Sequence, residues 1–229
     1  MTFNIKVFTL FPSFFDLLKE SLIGKALEKN IWNLDIINIR DYSQNKHKTV
    51  DDTHYGGGAG MIMTPEAISI AIDKNCDVNK TKFYYMSPRG QIFKQEKVKE
   101  IIENKDIAII CARYEGLDQR VIDDYNMEEI SIGDYVLMGG EIPALAVIEA
   151  CVRCLGGVVG DKDSLSEDSF GGIEDSKFKY LLEYPLYTKP EIWRNRKVPD
   201  VLISGHHKKI NEWKIKEAEK ITKERRPDL

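Results

Sequence analysis

The chain has 229 residues, 42% of them hydrophobic and 31% charged, with a formal net charge of −4, enough for one substantial core and a second, smaller unit given domains of about 100–200 residues. No apolar run approaches the roughly 18–20 residues of a membrane helix, and the N-terminal stretch MTFNIKVFTLFP lacks the pattern of a secretory signal, so a cytoplasmic protein with no membrane partner is expected. The charge is uneven: Lys177–Leu229 holds 14 Lys+Arg against 8 Asp+Glu (+6), and the remainder 19 against 29 (−10). A basic appendage on an acidic body fits a polyanion met by the tail, and it equally fits a solvated helical face.

In chain order, Asn4–Phe11 reads as a strand, and Pro12-Ser13 opens a helix whose apolar positions Phe14, Phe15, Leu18, Leu22, Ala26 and Leu27 carry it to about Asn30. Trp32–Ile39 is extended and Ile-rich. Periodicity then vanishes between Arg40 and Met63, a polar stretch ending in the glycine-rich Tyr55–Gly60. A loop of that length suits closure over a substrate or packing at an oligomer interface; the spacing of His47, Asp51, Asp52 and His54 fits no regular metal frame. Thr64-Pro65-Glu66 starts a helix that runs to about Lys74. Lys82–Met86 is a strand, Gln95–Asn104 an amphipathic helix, and Asp106–Ala112 an unbroken apolar run of the kind buried on both faces of a parallel sheet. A short helix from Asp118 to Asp124 and a strand at Glu128–Ser131 follow.

Strands alternating with helices predict an α/β domain with a mostly parallel sheet, whose ligands lie beyond the carboxyl ends of the strands. Three such exits, 85–90, 112–116 and 131–140, should converge. The last is S-I-G-D-Y-V-L-M-G-G-E-I-P, residues Ser131–Pro143, in which Gly139 and Gly140 remove the Cβ atoms that would hold another backbone or a flat ligand away. Pro143 suits a first helical turn and Glu141 the positive end of its dipole; a plain strand-to-helix turn would have the same features. The helix that follows ends at Gly156-Gly157, with Arg153 in its last turn, where complementing the helix dipole is sufficient reason for an arginine. Cys151-x-x-Cys154 lies in that apolar helix with no second ligand pair at zinc spacing, so it and the other two cysteines are expected to be reduced core thiols. Neither G-x-G-x-x-G nor a P-loop occurs.

Residues 160–176 are rich in Ser, Asp and Gly and read as a flexible linker between a domain at 1–159 and another at 177–229. The latter carries a basic amphipathic helix from about Ser204 to Arg225. Aromatics such as Trp193 and Trp213 among its Lys and Arg residues serve RNA stacking or a small core.

Six segments together resemble the bacterial tRNA (guanine-N1)-methyltransferase family, TrmD: His47–Met63, Arg113–Gly116, Ser131–Pro143, Glu167–Phe170, Tyr187–Glu191 and Val201–His206. The resemblance implies a SPOUT-type α/β fold with a C-terminal trefoil knot and a small helical C-terminal domain, acting as a homodimer on the anticodon stem-loop of tRNA. The methyl donor would be S-adenosylmethionine, with magnesium in the transfer step, and the target N1 of the guanosine immediately 3′ of the anticodon. Cofactor-binding positions carried over are Tyr85, Met86, Pro88, Ala112, Glu115, Gly116, Ile132, Gly133, Asp134, Tyr135, Val136, Leu137, Gly139, Gly140 and Pro143. Ala112 departs from the family's usual glycine, and Met138 stands where a smaller residue is usual.

The resemblance also implies that Asp168 is the general base and Arg153 the electrophilic stabiliser. Guanine N1 carries a proton at neutral pH, so the reaction needs a base for that proton and a positive group for the charge that develops on O6. Closure of the linker around a flipped-out guanine would desolvate Asp168 and strengthen it as a base.

Overall fold

The computed structural model describes residues 2–160, 162–171 and 177–229, and the chain divides into two units, Met1–Gly160 and Asp161–Leu229. In chain order the first runs β1 (Phe3–Thr9), a 3-10 helix (Pro12–Lys19), α1 (Ser21–Glu28), β2 (Trp32–Asn38), a 3-10 turn (Ile39–Tyr42), the two-residue strands β3 (Asp51–Asp52) and β4 (Ile62–Met63), and α2 (Pro65–Asn75). It continues through β5 (Lys82–Ile92), α3 (Gln95–Glu103), β6 (Asp106–Ile110), α4 (Gln119–Asp124), β7 (Glu128–Ser131) and α5 (Glu141–Arg153).

Five strands form one sheet in the order β2-β1-β6-β5-β7, every pair parallel. The apolar runs follow from this, because both faces are covered. Alternation along the strands sends Tyr84, Met86, Ile107 and Ile109 into a core with α1, α3 and α5. Phe83, Tyr85, Ala108 and Ile110 go into a second core with α2 and α4. Cys111 and Cys151 are buried in the first of these cores and none of the four cysteines is in a disulfide. Burial pushes the Cys151 thiol far up, which keeps it protonated and unreactive.

The structure differs from the sequence expectations at several boundaries. The helix expected from Pro12 to Asn30 is broken: Glu20 is extended and Ser21 has φ 58°. Gly24 explains how the break closes up, since a Cβ there would lie 1.9 Å from the Lys19 carbonyl oxygen. The Asp106–Ala112 run pairs as a strand only to Ile110, and the basic helix begins at His207 after a separate short turn of helix, so that 204–206 are not helical.

In the second unit, α6 (Lys162–Glu167) and a 3-10 turn (Ser169–Gly171) stand where composition suggests an irregular linker; residues 172–176 lie outside the described residues. A hairpin of β8 (Ile192–Trp193) and β9 (Arg196–Lys197), then α7 (Asp200–Ile203) and α8 (His207–Arg225), complete it. Its small core is Phe178, Tyr184 and Ala218, with Leu181, Trp213 and Ile215 against them. Trp213 is therefore core, whereas Trp193 is 57% exposed with the Arg194 guanidinium 4.7 Å from its ring centroid.

Candidate functional site

Because the strands are parallel, their carboxyl ends share one edge of the sheet, and three of the segments leaving that edge build a cleft. The first is an interruption within β5. Met86 and Gln91 both pair with Ile130 of β7, so Ser87–Gly90 bulges out of the sheet and returns. Gly90 permits the return, since a Cβ there would lie 2.3 Å from the Glu129 carbonyl carbon.

The second segment is the turn after β6. Tyr114 and Gly116 both have positive φ (59° and 121°), and the Gly116 N–H donates to the Arg113 carbonyl at 3.1 Å. The end of the glycine-rich loop runs alongside. Glu115 N–H donates to Met61 O (2.8 Å), Met63 N–H to Gly116 O (2.9 Å), and a Cβ on Gly60 would strike the Glu115 side chain at 2.6 Å. The end of the long loop without periodicity is thus held beside the cleft, where Ile62 lines it.

The third segment is Ser131–Gly140. Ser131 Oγ bonds both ends of Gly133, accepting from its N–H and donating to its carbonyl, which makes the tight turn that aims Tyr135–Met138 outward. The return is closest at Gly140. Its N–H donates to Ala112 O at 3.0 Å, and a Cβ would meet Cys111 Cα at 2.8 Å and Met86 Cβ at 3.1 Å. Gly140 has an ordinary φ of −80°, so it is glycine for want of room and not for backbone freedom.

A buried charge clasp ties the second and third segments to the end of β1. Glu141, the first residue of α5, is 1% exposed. Its Oε1 accepts a hydrogen bond from Thr9 Oγ1 (2.9 Å) at the end of β1, and its Oε2 lies 3.0 Å from Arg113 Nε as an ion pair without hydrogen-bond geometry. The Arg113 guanidinium stacks over Phe11 at 4.4 Å and donates to Met138 O at 3.4 Å. The helix N-terminus adds its own favourable field. Glu141→Gln is expected to leave Arg113 uncompensated and cost about 3 kcal/mol, the low end for breaking a buried pair because Arg113 keeps some solvent contact. Calorimetry would show this as a Tm lowered by about 6–12 °C.

The cleft has a volume of about 430 Å³, within the range of small-molecule sites. Of the cofactor positions expected from sequence, Tyr85, Met86, Pro88, Ala112, Glu115, Gly116, Ile132, Gly133, Tyr135, Val136, Leu137, Gly139, Gly140 and Pro143 all line it; Asp134 is exposed and does not. The added methyl of Ala112 is accommodated, with that residue 6% exposed at the wall. Burial raises the Tyr85 hydroxyl above its ordinary range, so it faces the cleft as a neutral phenol. Val136 and Met138, which also line the cleft, are 84% and 87% exposed.

Neither acid–base residue expected from sequence lines this cleft. Arg153 is exposed at the far end of α5, ten residues beyond Pro143, a rise of about 15 Å along the helix axis. Asp168 follows α6 in the second unit. Residues that sequence reasoning did not single out for the site include Arg113 as a brace, and Arg89 and Gln119, whose side chains bond each other at the rim (3.1 Å) while Arg89 also pairs with Glu129. Their partners are remote in sequence, so no spacing rule points to them.

The sequence model described as "tRNA (Guanine-1)-methyltransferase TrmD" matches residues 3–229. The chain belongs to this family. Among curated relatives, a tRNA (guanine-N(1)-)-methyltransferase of Wolbachia pipientis wMel is 51% identical over 234 residues, covering 100% of this chain and 96% of the relative. The protein of that name from Rickettsia akari (strain Hartford) is 52% identical over 225 residues, covering 97% and 95%. The mostly parallel, doubly covered sheet agrees with membership of this family. Among the described residues, no helix is long and apolar enough to cross a membrane, and no group of three His, Cys, Asp or Glu side chains could hold a metal ion.

Proposed function

We infer that the protein transfers a methyl group from S-adenosylmethionine to N1 of the guanosine immediately 3′ of the tRNA anticodon. Full-length identity of about half to enzymes named for guanine-N1 methylation of tRNA carries this reading. The cleft fits the donor: its volume suits a nucleoside-sized group, its walls offer main-chain donors and acceptors for an adenine edge, and Gly140 lets the 131–140 segment close against the β6 exit to complete those walls. When bound, S-adenosylmethionine supplies a methyl group already activated on a sulfonium.

The chain's own residues then have three tasks. The cleft orients the donor, Asp168 withdraws the N1 proton, and Arg153 holds the negative charge gathering on O6. No ligand set for magnesium is assigned.

The reading includes a homodimer, a cytoplasmic location and the trefoil knot of the SPOUT class, with residues 160–176 joining a donor-binding domain at 1–159 to a tRNA-binding domain at 177–229. Two observations support the dimer. Arg153 stands a helix length from the cleft of its own protomer, and Val136, Met138 and Ile142 expose apolar surface that a second copy would cover.

The exposed Trp193, flanked by Arg194, Arg196 and Lys197, gives the second unit a stacking surface for an unpaired base. Trp193→Ala is expected to weaken tRNA binding by about 1–3 kcal/mol, roughly 5–150-fold, in a filter-binding titration, with S-adenosylmethionine binding unchanged. The reading as a whole is tested by supplying labelled S-adenosylmethionine with two unmodified tRNAs, one of which has adenosine in place of the target guanosine. Label should enter the first alone; equal labelling of both would point to a methyltransferase with another RNA target.

A further inference from the structure

Asp168 lies in a segment whose composition is that of a linker, yet its neighbours are tied down one after another within the second unit. Glu167 Oε2 accepts hydrogen bonds from the Tyr184 hydroxyl and from Lys214 Nζ, the latter at 2.7 Å, while Lys214 also lies 4.9 Å from the centroid of the Tyr184 ring. Ser169 Oγ accepts the Glu183 N–H at 2.9 Å. The Phe170 N–H donates to Leu181 O, and the Gly171 N–H to Asp168 O, both at 2.9 Å. Phe170 is held at φ 68°, a conformation that a non-glycine residue keeps when its surroundings fix it.

These ties lead into the unit's core. Tyr184 packs on Phe178 and on Trp213 of α8 (ring centroids 5.8 and 6.4 Å apart), and Lys214 is the next residue of that helix. Burial works against the Glu167 carboxylate, but the hydrogen bonds from Lys214 and Tyr184 outweigh it and hold its carboxyl below the usual range. Burial likewise works against the Lys214 ammonium, and its hydrogen bonds to Glu167 and Tyr184 hold it above its own range. Both groups therefore stay charged at neutral pH.

We propose that Glu167, Tyr184 and Lys214 form a positioning clasp that fixes the Asp168 segment to α8, so that the base is carried by the second unit and not by a free linker. The proposal rests on the assignment of Asp168 as the base. None of the three touches the reacting atoms; each acts through the placement of its neighbour. Because the basic helix α8 and the acid then move as one piece, docking of tRNA on the second unit and delivery of the base become a single event.

The test is single-turnover methyl transfer on the full-length protein at saturating tRNA and S-adenosylmethionine, comparing Glu167→Gln and Tyr184→Phe with the unaltered chain, in native and Asp168→Asn backgrounds. Glu167→Gln is expected to slow the step at least tenfold and Tyr184→Phe several-fold, with tRNA affinity within twofold and no further loss in the Asp168→Asn background. Lys214→Arg should keep most of the rate that Lys214→Met loses. If Glu167→Gln does not fold, Tyr184→Phe removes one hydrogen bond only and carries the test. An unchanged rate, a loss explained by weaker tRNA binding, or an equal loss in both backgrounds would overturn the clasp. Full turnover by Asp168→Asn alone would instead strike the assignment of the base.

Discussion

Asp168→Asn is expected to slow methyl transfer to unmodified tRNA by about 10²–10⁴-fold, the usual worth of a general base, while S-adenosylmethionine binds as before. The two effects separate because the cleft proposed for the donor is lined entirely by the first unit, by residues from Ile62 to Pro143. Asparagine keeps the size of the side chain and cannot take up a proton. Guanine N1 would then have to lose its proton to water, with the sulfonium methyl still in place. Isothermal titration with S-adenosylmethionine and a labelled-methyl time course on the same preparation measure both halves of the prediction. A rate within twofold of the unaltered protein would remove Asp168 from the chemistry.

The second large effect is expected at Gly140. Alanine there would put a methyl 2.8 Å from Cys111 Cα and 3.3 Å from the Ala112 backbone nitrogen, and neither neighbour is the tip of a flexible side chain. The backbone at Gly140 is otherwise undemanding, so the whole cost is steric, about 1–3 kcal/mol for overpacking, or a Tm lowered by roughly 2–12 °C. Binding should suffer more than folding. Relief of the clash requires the returning 131–140 segment to withdraw from the β6 exit, which opens the cleft where its two walls meet, and S-adenosylmethionine affinity should fall at least tenfold. Gly139→Ala is the informative contrast. Its Cβ would meet Arg113 Cδ and Nε at 2.5 Å and Glu141 Oε2 at 2.7 Å, so that variant strains the charge clasp first, and its loss should appear mainly as stability.

Much of this arrangement is legible in the sequence, and the illegible parts share a cause. The apolar run at Asp106–Ala112 announces a buried strand because the centre of a doubly covered sheet leaves no polar face, and from alternating strands and helices it follows that the segments after β5, β6 and β7 share an edge. The individual positions expected to bind a cofactor follow from family resemblance alone, and all of them but Asp134 line the cleft.

What local patterns cannot show are contacts that depend on the sheet having formed. The break at Glu20–Ser21 is permitted by the approach of Gly24 to the Lys19 carbonyl. Thr9 and Glu141 meet only because β1 ends where α5 begins. Glu167 looks like one more acid in a polar stretch until Tyr184 and Lys214 are seen to close on it. Arg153 is the instructive case: its sequence position allowed a helix-dipole role, and the structure sets it at that helix end, away from its own cleft.

The most direct measurement is the identity of the methylated nucleoside. Unmodified tRNA incubated with the protein and 13C-methyl S-adenosylmethionine, then digested and resolved by mass spectrometry, should yield labelled 1-methylguanosine from the fragment next to the anticodon. A label found instead on N7 of guanine or on a ribose oxygen, positions that do not need the N1 proton withdrawn, would contradict the account.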